Sequence, residues 1–263
     1  MKKVGILYIA TGEYWKFWND FFESSQKHFL QDCELYYFLF TDNTGLLNLS
    51  SEKIYSNYLE HQKWPYPTLL RYHVFYNHRE IFRNMDYLIF CNANLVFLKN
   101  IRLEELFLDK PMFATLHPGY FRKSYRFFPY EKNVKSTAYL KRTANSVYVC
   151  GGFNGGLTEY FLKMSEILKI NIDQDLKNGI IAKWHDESHF NKYVALNRCD
   201  FNILFSSYCY PENMRLNIEK IILVRDKDKV FKIIHKGKWY YFRYNIMKWI
   251  RNIKNTILDL VKC

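Results

Sequence analysis

The sequence predicts an α/β protein whose central sheet is mixed but mostly parallel, with helices covering both faces. Three observations predict it. Short apolar runs with strand character alternate with longer segments whose apolar residues recur at helical spacing. The motifs richest in polar and glycine residues fall at strand ends, where ligands of such sheets sit. The 263 residues, 49% of them apolar, suffice for one large domain with a sizeable core.

In order, "KVGILYIA" reads as the first strand, "YWKFWNDFFESSQKHFL" as a helix, and "ELYYFLF" as a strand ending at Thr41-Asp42-Asn43. Tyr66-Pro67-Thr68 opens a helix with "LLRYHVFYNHREIF" as its body. "MDYLIFCNANLVF" reads as a buried strand that breaks at Asn92-Ala93-Asn94. "PMFATLH" is a short strand, and "SVYVCGGFNGG" a strand running into a Gly-rich turn. "LTEYFLKMSEIL" and "DESHFNKYVAL" follow as helices, and "FNILFSS" and "KIILV" as strands. Four strand ends then converge on one cleft: Ile9-Ala10-Thr11, Asn92-Ala93-Asn94, Leu116-His117 and Cys150-Gly151-Gly152. No GxGxxG follows the first strand, which disfavours a dinucleotide and leaves a mononucleotide open.

Composition excludes several classes. Six scattered cysteines without a CxxC pair argue for a reducing compartment and against a zinc site or disulfide framework. The start reads as a core strand rather than a targeting segment, and no apolar run reaches the length of a membrane span. Of the net charge of +12, +7 sits in the last 32 residues, from Lys232 to Cys263. The expected organisation is a catalytic domain over 1–230 and a basic tail over 231–263. A basic nucleic-acid binder is permitted by the tail, but no nucleic-acid motif is present and no compact basic stripe is seen in the main domain.

"WHDESHFNKY" is the densest polar cluster. His185 and His189 stand four apart, but the zincin pattern needs Glu directly after the first His, and here that residue is Asp186. Asp186 could alternatively cap a helix beginning at Glu187. Trp184 beside Asp186 and Glu187 suits a sugar: the ring covers an apolar pyranose face, and the acids bind hydroxyls or stabilise positive charge at the anomeric carbon.

With "KHF", "YYFLFTDN", "DYLIFCNANLVF", "TLHPGY" and "YVCGGFNGG" in order before it, this motif resembles glycosyltransferase family 6, the retaining enzymes that include the histo-blood-group A and B transferases and the α1,3-galactosyltransferases. The resemblance runs from about residue 4 to about residue 210. It implies a GT-A fold, with a single Rossmann-like sheet, and α1,3 transfer of galactose or N-acetylgalactosamine from UDP. It implies donor contacts at Ile9, Ala10, Tyr14, Arg71, Asn92, Ala93, Asn94, Gly151, Gly152 and Asp186, with Trp64 at a family position. His117 and Trp184 would hold the acceptor galactose beside Glu187, the catalytic carboxylate, acting as nucleophile or as stabiliser. Small residues at Gly151 and Gly152 leave room for an acetamido group, which implies UDP-N-acetylgalactosamine as donor. The acceptor expected is a galactose bearing an α1,2-fucose, although Pro129 and Cys150 depart from common acceptor-side residues of the mammalian enzymes. A sugar-binding module without turnover is the competing reading, disfavoured by the intact acid pair.

One departure stands out. The family's Asp-x-Asp binds Mn²⁺ at the UDP diphosphate, whereas this chain has Asn92 and Asn94. Amides remove the charge that holds a hard cation, so no metal and no other cofactor is expected, the alternatives being a weak metal site or an inactive enzyme. Lys232, Lys236, Lys238 and Arg243 would replace the ion at the diphosphate. From Phe242 the tail could form a basic amphipathic helix, suited equally to an anionic membrane surface or to packing on the enzyme or a second subunit. A bacterial, cytoplasmic enzyme, peripheral on the inner face of the membrane, is the localisation expected.

Overall fold

The computed structural model describes residues 1–49 and 51–231. Met1–Asp226 form one compact unit. Lys227 opens a second, of which the short helix Lys227–Val230 and Phe231 are described. The expected diphosphate contacts Lys232, Lys236, Lys238 and Arg243, and the amphipathic helix from Phe242, lie outside the described residues.

The main sheet has seven strands: β1 (Lys2–Ile9), β2 (Cys33–Thr41), β3 (Ile54–Tyr58), β4 (Tyr87–Cys91), β6 (Met112–Leu116), β7 (Val149–Leu157) and β8 (Phe201–Leu204). Its spatial order is β3-β2-β1-β4-β7-β6-β8. Every neighbouring pair is parallel except β4–β7 and β7–β6, so β7 alone runs against the other six strands. A second sheet joins β5 (Leu95–Phe97), β10 (Ile222–Val224) and β9 (Tyr210–Pro211). The helices are α1 (Trp18–His28), α2 (Thr44–Leu47), α3 (Tyr66–Leu69), α4 (Arg71–Asn77), α5 (Leu103–Phe107), α6 (Thr158–Lys177) and α7 (His185–Leu196).

Strand alternation explains the two covered faces. Val4, Ile6 and Tyr8 of β1 enter one core with Phe21 of α1, while Leu7 enters the other with Phe75 of α4 and Phe161 of α6. Each large apolar side chain buried in this way contributes about 1.5–3 kcal/mol.

Several expectations need correction. "SVYVCGGFNGG" does not end in a turn, because β7 continues through its glycines. A Cβ on Gly155 would lie 2.8 Å from the Leu88 carbonyl and 2.7 Å from the Phe113 ring, so close sheet packing, not a bend, requires glycine there. Since β7 is antiparallel, Cys150-Gly151-Gly152 lie near its amino end, which is the same end of the sheet as the carboxyl ends of β1, β4 and β6. The helix expected over residues 66–82 is divided into α3, α4 and a 3-10 turn, Arg79–Phe82. "KIILV" yields β10, which belongs to the small sheet. Strand β3 was not expected at all.

Candidate active site

The acid pair is positioned by the first turn of α7. This helix begins at His185 with Trp184 in the N-cap position, so Asp186 does not cap a helix starting at Glu187. His185 has φ of 50°, a left-handed conformation uncommon for a non-glycine residue, and it immediately precedes the two acids. Glu187 is held through both carboxylate oxygens. The Tyr148 hydroxyl donates to Oε1 at 2.6 Å and the Gly151 N–H to Oε2 at 2.9 Å. Burial raises the Glu187 pKa, while these two donors and Arg71 pull it back.

Asp186 is 3% exposed and pairs with the guanidinium of Arg71 at 3.1 Å. Burial outweighs that partner and raises its pKa to about 6. The Arg71 contact falls on Oδ2, which faces Nη1 without a well-aligned hydrogen bond. Oδ2 therefore keeps the capacity to accept from a further donor, such as a ligand hydroxyl. Arg71 is fixed in turn by stacking on Phe90, 4.3 Å from the ring centre, and by donating to the Gly151 carbonyl at 2.8 Å.

The peptide groups of Gly151 therefore tie the site together. Its N–H holds Glu187, and its carbonyl holds Arg71 and the Asn154 amide, the latter at 3.2 Å. A Cβ at Gly151 would stand 3.3 Å from Nη1 of Arg71, so a side chain there disturbs the pair. At Gly152 the nearest atom would be Cβ of Asn92 at 3.6 Å, an ordinary contact.

Asn92 and Asn94 follow β4, where the chain passes from the main sheet into β5. The Asn92 N–H donates to the Gly152 carbonyl at 2.8 Å. Nδ2 of Asn92 donates to Oδ1 of Asn94 at 3.0 Å, and Nδ2 of Asn94 donates to the Arg225 carbonyl at 2.7 Å. That last bond fixes which way the Asn94 amide points. Its single side-chain oxygen is already occupied and neither residue is charged. The pair does not fit a hard divalent cation. Among the described residues, no group of three or more His, Cys, Asp and Glu side chains offers another site. His185 instead meets the Trp64 ring at 4.8 Å, and His189 lies buried near Asp175 and Thr137.

Of the residues expected to meet the nucleotide, Ile9 ends β1 and Tyr14 lies half-buried in the 3-10 turn that follows. Ala10 is fully buried, its N–H bonded to Phe40 and its carbonyl to Thr41. Ala93 is 2% exposed and its carbonyl accepts from the Tyr8 hydroxyl. On the opposite flank, Nδ1 of His117 accepts from the Gly119 N–H at 3.0 Å, leaving the proton of the neutral ring on Nε2 as a donor. Burial pushes the His117 pKa down to about 4. Trp64 and Trp184 are exposed large rings, at 69% and 45%.

The fold thus brings Arg71, Gly151, Asp186 and Glu187 into one bonded cluster, with Asn92 against Gly152. His117 joins through Tyr148, whose carbonyl accepts the His117 N–H at 3.0 Å. Sequence reasoning missed Tyr148 and Asn154. Nothing marks one tyrosine out of 22 as a donor to a carboxylate. Asn154, buried amid glycines on an inner strand, was a usable signal, because a buried amide demands partners.

The family model for glycosyltransferase family 6 matches residues 2–235. The chain is 33% identical to the O-antigen biosynthesis glycosyltransferase WbnI of Escherichia coli over 234 residues, covering 86% of this chain and 95% of that protein. It is 28% identical to the histo-blood group ABO system transferase 1 of Rattus norvegicus over 80% of this chain and 62% of the relative. To the globoside alpha-1,3-N-acetylgalactosaminyltransferase 1 of Gallus gallus it is 29% identical, over 74% and 58%. The chain therefore spans about three fifths of the length of these two animal relatives.

Proposed function

The chain belongs to glycosyltransferase family 6 and is a glycosyltransferase, and from that premise we propose that it moves N-acetylgalactosamine from UDP to the 3-hydroxyl of a galactose acceptor, with retention, in α1,3 linkage and without a metal ion. The observation that carries the reading is the acid pair wired through Gly151. Glu187 is held by two donors, one of them the N–H of Gly151, next to Gly152, where a Cβ would meet nothing closer than Asn92 at 3.6 Å. In this reading Glu187 faces the anomeric carbon, as nucleophile or as stabiliser of the oxocarbenium-like transition state. Oδ2 of Asp186 accepts a donor-sugar hydroxyl. His117 donates from Nε2 to the acceptor, whose apolar face lies on Trp184.

The choice of N-acetylgalactosamine over galactose rests on Gly152. Within 4 Å a methyl group there would meet only Asn92, which supports room for an acetamido group beside Gly152. The similarity to the chicken relative, an N-acetylgalactosaminyltransferase by name, supports the same donor. Metal independence rests on the amide pair, which carries no charge and spends Nδ2 of Asn92 and both Oδ1 and Nδ2 of Asn94 on hydrogen bonds to each other and to the Arg225 carbonyl. Steadying the departing diphosphate is then assigned to Lys232, Lys236, Lys238 and Arg243. A cytoplasmic enzyme working at a membrane surface, on a fucosylated galactoside, completes the proposal.

The test is incubation with UDP-N-acetylgalactosamine or UDP-galactose and 2'-fucosyllactose, with and without EDTA. Faster turnover of the acetamido sugar, unchanged by EDTA and lost on truncation after Arg225, is expected. Equal or better use of galactose would defeat the Gly152 argument, and dependence on manganese would defeat the metal-free one.

A further inference from the structure

We propose that the excursion joining β6 to β7, residues 118–148, is a docking surface for an anionic membrane, and that it sets the acceptor side of the cleft against the lipid. It carries seven Lys or Arg and one acid, a net +6. Residues 1–231 together carry +5, so without this excursion they stand at −1. The positive charge of the catalytic unit is therefore concentrated in one segment.

The single acid is withdrawn from the surface. Glu131 is 8% exposed and accepts from the backbone N–H of Asn133 at 2.7 Å and of Lys183 at 2.6 Å. The cations Arg122, Lys123, Arg126, Lys132, Lys135 and Lys141 are all exposed. Among them stand two apolar side chains, Phe127 at 52% and Val134 at 73% exposure. The excursion is also held in shape. Phe128, Tyr130 and Tyr148 form its own small core. Asp175 of α6 accepts from the Thr137 N–H at 2.7 Å and the Ser136 hydroxyl at 2.5 Å.

Cations interspersed with exposed apolar side chains match a bilayer of anionic headgroups over hydrocarbon. A single-stranded nucleic acid needs free aromatic faces for its bases. Here Arg122, Lys123 and Arg126 lie over Phe121, Tyr120 and Tyr125, at 5.2, 5.0 and 6.0 Å. The chain leaves the sheet at His117 and returns at Tyr148, both at the site. A docked enzyme would thus present that flank to acceptors held at the lipid surface, a consequence that rests on the acceptor assignment proposed above.

The test uses the full chain and vesicles of phosphatidylcholine with and without phosphatidylglycerol at ~0.1 M salt. Binding to the anionic vesicles only is expected. The triple variant Arg122→Gln/Lys135→Gln/Lys141→Gln should lose at least about tenfold in vesicle affinity. A control removing as many exposed cations elsewhere, Lys110→Gln/Lys163→Gln/Lys177→Gln, should lose much less, and Phe127→Ser should weaken binding without changing charge. Equal losses in the two triples, no binding by the wild type, or a loss confined to RNA binding would each overturn the proposal. Turnover of a soluble acceptor by the triple variant checks the fold. Absence of transfer by every form, with vesicle binding as expected, would count against the sugar reading alone.

Discussion

The acid pair Asp186–Glu187 on α7 and the amide pair Asn92–Asn94 after β4 sit at the same end of the sheet, both against the glycines of β7, yet they are wired in opposite ways. The acids are met by donors: Tyr148 and the Gly151 N–H on Glu187, and Arg71 on Asp186. The amides are met by each other and by the Arg225 carbonyl, an acceptor. Burying a carboxylate is tolerable only where donors or cations await it, and a carbonyl oxygen at 2.7 Å offers neither. Negative charge is thus kept where the chain can support it and is missing where the chain opposes it. Restoring aspartate at residue 94 alone would therefore not recreate a metal site, because it would set a carboxylate against Arg225.

The largest effect should come from removing charge on the supported side. Glu187→Gln keeps size and fold but places an amide against two donors, and kcat should fall by about 10³-fold or more. A loss below tenfold would remove Glu187 from the chemistry. Asp186→Asn should lower kcat/KM by about 100-fold, because Arg71 and the ligand hydroxyl lose their anionic partner. Its Tm should change little, because burial already disfavours the charge at this residue. The wild type should show the same dependence through pH. With its pKa raised to about 6, Asp186 takes up a proton as pH falls through that value, so kcat/KM should drop on the acid side. His117, held at about 4, remains neutral there and adds no inflection near 6. A profile flat down to pH 5 would contradict the assignment.

Much of this comparison was legible in the sequence. Both pairs were visible as residues, and apolar runs located β1, β2, β4 and β6. What lay outside sequence reach is direction and partner. The glycines of "CGGFNGG" read as a turn because glycine is permissive there, whereas in the fold Gly155 is required by the Leu88 carbonyl of the neighbouring strand. That β7 runs antiparallel, delivering Gly151 to the site by its amino end, has no local signature. Strand β3 escaped notice because "IYSNY" is short, polar and half-exposed at a sheet edge. The +6 over residues 118–148 could have been counted, but seven cations spread over 31 residues do not look like a stripe until Glu131 is seen to be buried.

Smaller effects sharpen the contrast between the two pairs. Tyr148→Phe removes one donor from Glu187 and leaves the ring in its aromatic cluster. The lost bond had lowered the Glu187 pKa, so that group should protonate more readily and the acid limb should move to higher pH. A loss of about tenfold in kcat at pH 7 is expected, with an unchanged circular dichroism spectrum. A loss uniform across pH would mean that the ring, not the hydroxyl, matters.

The smallest effect concerns the amides. Asn94→Asp exchanges the donor to Arg225 for a carboxylate oxygen, which should cost about 1–2 kcal/mol and lower Tm by about 3–6 °C. Asn92→Asp loses only the bond to Asn94 at a half-buried residue and should cost less. The double variant Asn92→Asp/Asn94→Asp carries two carboxylates that repel each other, and manganese should raise its Tm while leaving the wild-type Tm unchanged. A manganese-induced rise in the wild type would mean that the amide pair opens to admit an ion, and the contrast drawn between the two pairs would fail at its weaker side.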